Sequence, residues 1–338
     1  MNGLDCNKGL LVNGRNTQVE GLRSLAMLCV LLFHFCCRFQ QIYMGGIDSL
    51  PYPFTMFGGI GVGIFFLISG YFFANANGGI SFVFHRAKKL LPFYWATLII
   101  CFVMTNLYQL PGRTASFGDF LLNFFLLGGI YGVAYVDGAH WFLRTMLIIV
   151  VVYAVIQKTP PKKHVFAYAT AMLFVISLSL VKENIVVLQR AVNLLLNSFT
   201  GFGLECLVIS IMGSALALIK VNIKFGIPLY FLCLTSYIYL FGVSMGVAMF
   251  FASVVLFLCE MKKLPVLEVR FFQVLAKSSY SIYLVHQNIG YIIMLCLIEI
   301  LPYGLWMSLF TTMIMIGVGM LLHNWFEEKI NLFFYHQS

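Results

Sequence analysis

The sequence predicts an all-α, polytopic membrane bundle of about ten transmembrane helices with both termini in the cytoplasm. Three observations carry that prediction. Hydrophobic residues make up 61% of the chain against 10% charged, with mean hydropathy +0.93, which leaves too little polar side chain to cover a soluble surface. The apolar residues fall into runs close to the roughly 20 residues a helix needs to cross about 30 Å of hydrocarbon. Finally, most of the 21 Lys and Arg stand in short stretches between those runs, so the net charge of +9 reads as positive-inside orientation and not as a nucleic-acid surface.

The runs place spans at residues 19–37, 56–76, 90–110, 140–157, 165–181, 199–219, 227–241, 243–259, 280–300 and 303–325. Residues 120–136 are an eleventh apolar stretch, and charge decides against their crossing. If they stay on one side, the clusters at Arg15, Arg86/Lys88/Lys89, Lys158/Lys162/Lys163, Lys220/Lys224, Lys262/Lys263/Arg270/Lys277 and Lys329 all share the cytoplasmic face. Residues 112–139 are then an outer loop carrying a re-entrant or interfacial piece. Lys182 and Arg190 fall outside and fit least well. Residues 1–338 read as one membrane-embedded domain, with a cytoplasmic segment at 1–18 and a tail at 326–338. The N-terminus lacks the pattern of a cleaved signal peptide. Nine cysteines, mostly inside apolar runs, show no close pairing of the kind that holds zinc, so no metal is expected.

Ionisable residues inside apolar runs are functional candidates because burying them in hydrocarbon is costly. In the first span Arg23 and His34 stand eleven positions apart, three turns plus some 20°, so they share one stripe roughly 16 Å long. That stripe reads as a polar groove leading inward from the cytoplasm, or as a snorkelling arginine and a histidine bonded between helices. In "SSYSIYLVHQNI" the spacing puts Ser279, Tyr283 and His286 on one face, with His286 at a depth comparable to His34. Glu205 is an acid within an apolar run and could pair with a cation such as Arg144 or orient a histidine. Asp137, His140, Trp141 and Arg144 lie at the outer end of their span. There an indole and charged groups suit a sugar, although interfacial anchoring accounts for Trp141 equally well. The glycine-rich "GGIGVGIFFLISG" is not a nucleotide loop; Gly59 and Gly63 allow close helix approach, and Ser69 could line the groove.

The Arg23 and His34 spacing, followed in order by "GVGIFFLISGYFFA", "RAKKLLPFYW", "HWFLRTMLIIVVVY" and "SSYSIYLVHQNI", resembles the acyltransferase 3 family of integral membrane O-acyltransferases over nearly the whole chain. The resemblance implies transfer of an acyl group, most often acetyl from acetyl-CoA, onto hydroxyls of surface glycans or lipid-linked precursors. It implies a carbohydrate acceptor and a plasma-membrane location. Lys89 departs from the family's second basic motif, which commonly ends in arginine, and so keeps charge while losing a bidentate fork.

On that reading Arg86, Lys88 and Lys89, with Arg23, Ser69 and Tyr283, hold the anionic donor. His34 is the base, because imidazole both accepts and returns a proton near neutrality; transient acylation of the histidine is the other chemistry open to it. His286 could orient His34, bind the thioester carbonyl or tie helices together. A permease exporting a glycan or anion along a proton-coupled path is the alternative function.

Overall fold

The computed structural model describes residues 16–45, 53–130, 132–160, 163–184 and 205–330. Helix α1, Thr17–Phe33, starts where the Asn16 side-chain oxygen accepts the backbone N–H groups of Gln18 at 3.1 Å and Val19 at 3.4 Å. It runs on through a π-helical turn, His34–Arg38, and an α-helical turn, Phe39–Tyr43, giving one 27-residue apolar rod. Then come α2 (Pro53–Phe73), α3 (Ile80–Leu107), the short α4 (Phe117–Phe124), a 3-10 turn (Gly138–His140) leading into α5 (Trp141–Ile156), and α6 (His164–Asn184). The remainder is α7 (Glu205–Val221), α8 (Ile223–Phe241), α9 (Val243–Glu260), α10 (Arg270–Leu297) and α11 (Leu305–Leu322). A second π-helical turn, His323–Glu327, follows α11.

Among the described residues eight helices are long and apolar enough to cross a bilayer, which makes this an all-α, multi-pass membrane protein. The two remaining expected spans coincide with shorter described apolar stretches, His164–Ser177 and Cys206–Val221. Both chain ends, and Arg190, lie outside the described residues. The bundle's outer surface is apolar: Val103, Phe174, Phe231 and Phe251 are all more than half exposed, as lipid contact requires.

Residues 120–136 do not form a helix long enough to cross. The sequence turns at Ser116, which accepts the Asp119 N–H at 3.0 Å while Asp119 accepts the Ser116 N–H at 3.2 Å, a reciprocal cap that starts α4. The Ser116 hydroxyl, donating at 2.7 Å, holds the Asp119 carboxyl below the usual carboxylate range. Asn123 donates to the Ala134 carbonyl at 2.7 Å, closing the segment back on itself. Phe117, Leu121 and Phe125 are left exposed, as on an interfacial piece.

Cationic clusters gather at one end of the bundle. Lys158 lies against Gly79, just ahead of α3; Lys220, at the end of α7, bonds Glu260, at the end of α9, at 3.1 Å. The helices pack through small residues, as Gly59 and Gly63 do against Met245 and Met249 of α9. The tightest approach is between α2 and α7. There Gly70 lies on the Ser210 carbonyl and Gly213 on the Leu67 carbonyl, so a methyl group at either would strike backbone. Gly70→Ala should therefore cost about 1–3 kcal/mol or more and lower the thermal unfolding midpoint in detergent, whereas Gly317→Ala, which faces open space, should not. Equal midpoints would remove close backbone contact as the reason for glycine there.

Candidate functional site

The basic end of the bundle opens into a cavity of about 1070 Å³. Five cations line it, Arg23 from α1, Arg86 and Lys89 from α3, Lys262 after α9, and Lys277 from α10, alongside the carboxylates of Glu20, Glu260, Glu327 and Glu328. Each sits where its helix emerges from the apolar region, which is where a cationic chain can keep its head in water. Arg23 Nη1 bonds Glu20 Oε2 at 3.0 Å; both are partly exposed, so the pair is weak. The Arg86 guanidinium stacks over Phe73 at 4.9 Å and Phe82 at 5.6 Å, which fixes its plane. Lys88 is exposed and does not line the cavity. At the inner end stand Ser69, Phe65, Phe142 and Tyr283, with Phe142 and Tyr283 ring to ring at 4.9 Å.

Behind Tyr283 lie two histidines. The rings of His34 and His286 meet edge to face, with centroids 4.7 Å apart; His286 is itself 5.4 Å from Tyr283. The matched depths expected from sequence are thus realised as contact. His34 opens the π-helical turn, a local widening common at functional sites. Its Nδ1 lies 3.0 Å from the Tyr291 hydroxyl. His286 is fully buried with Nδ1 2.8 Å from the Tyr283 carbonyl. A carbonyl only accepts, so Nδ1 carries the hydrogen and Nε2 of the neutral ring is a bare lone pair; it has no partner among the described residues.

Asp137, His140 and Arg144 depart from the outer sugar-facing surface expected of them. All three are buried. Asp137 accepts the Ala139 N–H at 2.8 Å and the Asn288 backbone N–H at 3.0 Å, while His140 Nε2 donates to the Leu284 carbonyl at 3.0 Å. Residues 137–140 therefore fold inward and bond their polar side chains to the α10 backbone at the level of His286. Arg144 donates to the Gly128 carbonyl and stacks over Tyr135 at 5.8 Å, pinning the loop that follows α4. Trp141 is half-buried beside Phe142, in the core. Glu205 begins α7, and its side chain lies outside the described residues.

Sequence reasoning missed Tyr291, Arg113 and the cluster Ser281, His323 and Glu327. Glu327 accepts from Ser281 and from His323 Nδ1, the latter at 2.9 Å, and it lines the cavity wall beside Lys277. The polar "HQN" at 286–288 within an apolar span was the available signal for the first group. The signal for Arg113 was an arginine standing in the loop away from the expected basic clusters.

The sequence model of a family described as an acyltransferase domain matches residues 16–324. The chain belongs to this acyltransferase family. No curated relative and no solved structure matches it. Membership covers the helices that build both the cavity and the histidine pair, and it supports an acyltransferase-type role for the protein. Among the described residues no cluster of His, Cys, Asp and Glu is placed to hold a metal.

Proposed function

We propose that this acyltransferase moves an acyl group, acetyl by family preference, from cytoplasmic acyl-CoA to a hydroxyl of a cell-surface polysaccharide or lipid-linked glycan at the plasma membrane. The observation that carries the reading is the juxtaposition of a charged cavity bearing Arg23, Arg86 and Lys89 with an imidazole pair just behind its inner end. Coenzyme A is a polyanion on a long thin arm. Arg23, Arg86 and Lys89 suit its phosphates, and the aromatic inner end by Phe65, Phe142 and Tyr283 suits its acyl thioester.

Ten spans and cytoplasmic termini complete this reading, since the cavity end is then the cytoplasmic one. Lys88, outside the cavity, serves orientation. Asp137 and His140 shape α10 around the imidazoles, a positioning role in place of sugar contact.

In the transfer His34 Nε2 takes the acceptor hydroxyl proton as the oxygen forms its bond to the thioester carbonyl carbon. In the tautomer this requires, Nδ1 carries the hydrogen and donates it to the Tyr291 hydroxyl 3.0 Å away. The C–S bond breaks, and the proton returns through His34 to the departing thiolate. His286, with its hydrogen engaged by the Tyr283 carbonyl, offers only a lone pair when neutral. It is thereby suited to accept a proton beside His34 and unsuited to bind the thioester carbonyl.

Tyr291→Phe should lower kcat by roughly 2- to 10-fold with the donor's KM unchanged, because it removes one hydrogen bond worth about 0.5–1.5 kcal/mol and nothing in the cavity. A changed donor KM with unchanged kcat would place Tyr291 elsewhere. The reading as a whole is tested by supplying acetyl-labelled acetyl-CoA to membranes containing the protein. Label should enter a glycan or lipid-linked fraction as a base-labile ester, and its absence there would reject an O-acyltransferase.

A further inference from the structure

On the side of the histidine pair away from the donor cavity stand two further cations. Arg38 closes the π-helical turn that His34 opens, and is exposed with Nη1 3.2 Å from Gln41 Oε1. Arg113, in the loop between α3 and α4, is half-buried. Its guanidinium lies 5.4 Å over the ring of Tyr291, the residue bonded to His34, and Nη1 is 3.4 Å from Asn288 Oδ1. A methyl group on Gly138 would meet Arg113 Nη1 at 3.0 Å and Gln287 Oε1 at 2.8 Å, so bare backbone there lets the guanidinium settle beside the Gln287 amide.

The described ion pairs are Arg23 with Glu20, Lys220 with Glu260 and His323 with Glu327; neither Arg38 nor Arg113 pairs with a carboxylate among the described residues. Two arginines without acidic partners among the described residues, at the end away from the basic cluster, are not explained by the positive-inside bias that the proposed topology rests on. Guanidinium presents a planar fork of donors matched to the oxygens of carboxylate or phosphate.

We propose that Arg113 and Arg38, with Tyr291 and Gln287, form an oxyanion-binding acceptor site, so that the hydroxyl delivered to His34 belongs to an acidic glycan. The oxyanion is either a sugar carboxylate or the phosphate of a lipid carrier. This rests on the acyltransferase reading and adds the charge of its acceptor. Gripping the oxyanion to one side would leave a neighbouring hydroxyl free to face the imidazole, which converts electrostatic attraction into orientation.

The test is native mass spectrometry of the full-length protein with three probes: a uronic-acid oligosaccharide, its carboxyl-reduced neutral analogue, and polyprenyl phosphate. Acetyl-CoA is titrated in parallel. The proposal expects at least one anionic probe to bind roughly ten-fold or more tighter than the neutral sugar. Arg113→Gln should abolish that preference, and Arg113→Lys should retain part of it. Acetyl-CoA should bind wild type and both variants alike, which also shows that the variants are folded.

Preference for the oligosaccharide identifies a sugar carboxylate; preference for the prenyl phosphate identifies a lipid carrier. Equal binding of anionic and neutral probes, no binding of any probe, or equal anion binding by wild type and Arg113→Gln overturns the site. Failure of wild type to bind acetyl-CoA instead overturns the donor reading and leaves the oxyanion result to stand or fall separately.

Discussion

Replacing His34 with alanine should reduce acyl transfer by about two to four orders of magnitude while leaving the protein inserted and folded. That range is what a positioned general base contributes. The structural cost is small because His34 is half-buried and its polar contact is the single bond to Tyr291. Losing it costs on the order of 1 kcal/mol, well within what a large bundle tolerates. The π-helical turn itself contains buried Phe35, Cys36 and Cys37 and is followed by buried Phe39, which hold its backbone whatever stands at position 34. Donor affinity should also be unchanged, since His34 is not among the residues lining the cavity. Transfer assays on purified wild-type and variant protein, with donor binding and thermal unfolding measured on the same samples, check all three statements. Product at the wild-type rate would remove His34 as the base and leave His286, with its bare Nε2, as the proton acceptor.

The second large effect belongs to the cavity cations. Changing Arg86 and Lys89 together to glutamine should raise the donor's dissociation constant by one to several powers of ten. Each charge-assisted contact to phosphate is worth about 1.5–3 kcal/mol, and tenfold in affinity corresponds to about 1.4. Glutamine keeps much of the side-chain bulk and the capacity to hydrogen-bond, so Phe73 and Phe82 remain covered. Orientation in the membrane should survive because Lys158, Lys220, Lys262 and Lys277 still mark that end. Acyl-CoA titration of protein in nanodiscs, with a labelling check of topology, reads the effect. Equal affinities would reduce both residues to orientation signals. Absence of acyl-CoA binding in both proteins would favour the permease.

Particular residues show what could be read from sequence alone. His34 and His286 were legible as a pair because an ionisable group in an apolar run is conspicuous, and counting rise from the charged helix ends gave both the same depth. Arg23, Arg86, Lys89, Ser69 and Tyr283 do line one cavity, since residues at the same end of successive spans converge when helices alternate in direction.

Helix lengths were less legible. α3 begins at Ile80 and α10 at Arg270, ten residues ahead of the predicted starts at 90 and 280, because hydropathy reports the hydrocarbon layer while backbone hydrogen bonding carries the helix beyond it. The roles of Asp137, His140 and Arg144 were hidden for a different reason. Composition shows that a loop is polar but not that it folds back into the bundle to bond the α10 backbone at Leu284 and Asn288. Arg113, from the loop between α3 and α4, likewise meets Tyr291, a contact between residues 178 positions apart that no local pattern announces.

The account's central claim is that the cavity and the histidine pair serve one reaction, acyl transfer to a glycan. It is tested most directly by mass spectrometry of surface glycans from cells lacking the gene and supplied with either the wild-type or the His34→Ala form. The account predicts an acyl-sized mass increment, 42 Da if the group is acetyl, removable by mild base, present with wild type and absent with both the empty strain and the variant (order-of-magnitude loss of about 10²-fold or more in the variant). Identical glycan masses in all three strains would contradict it.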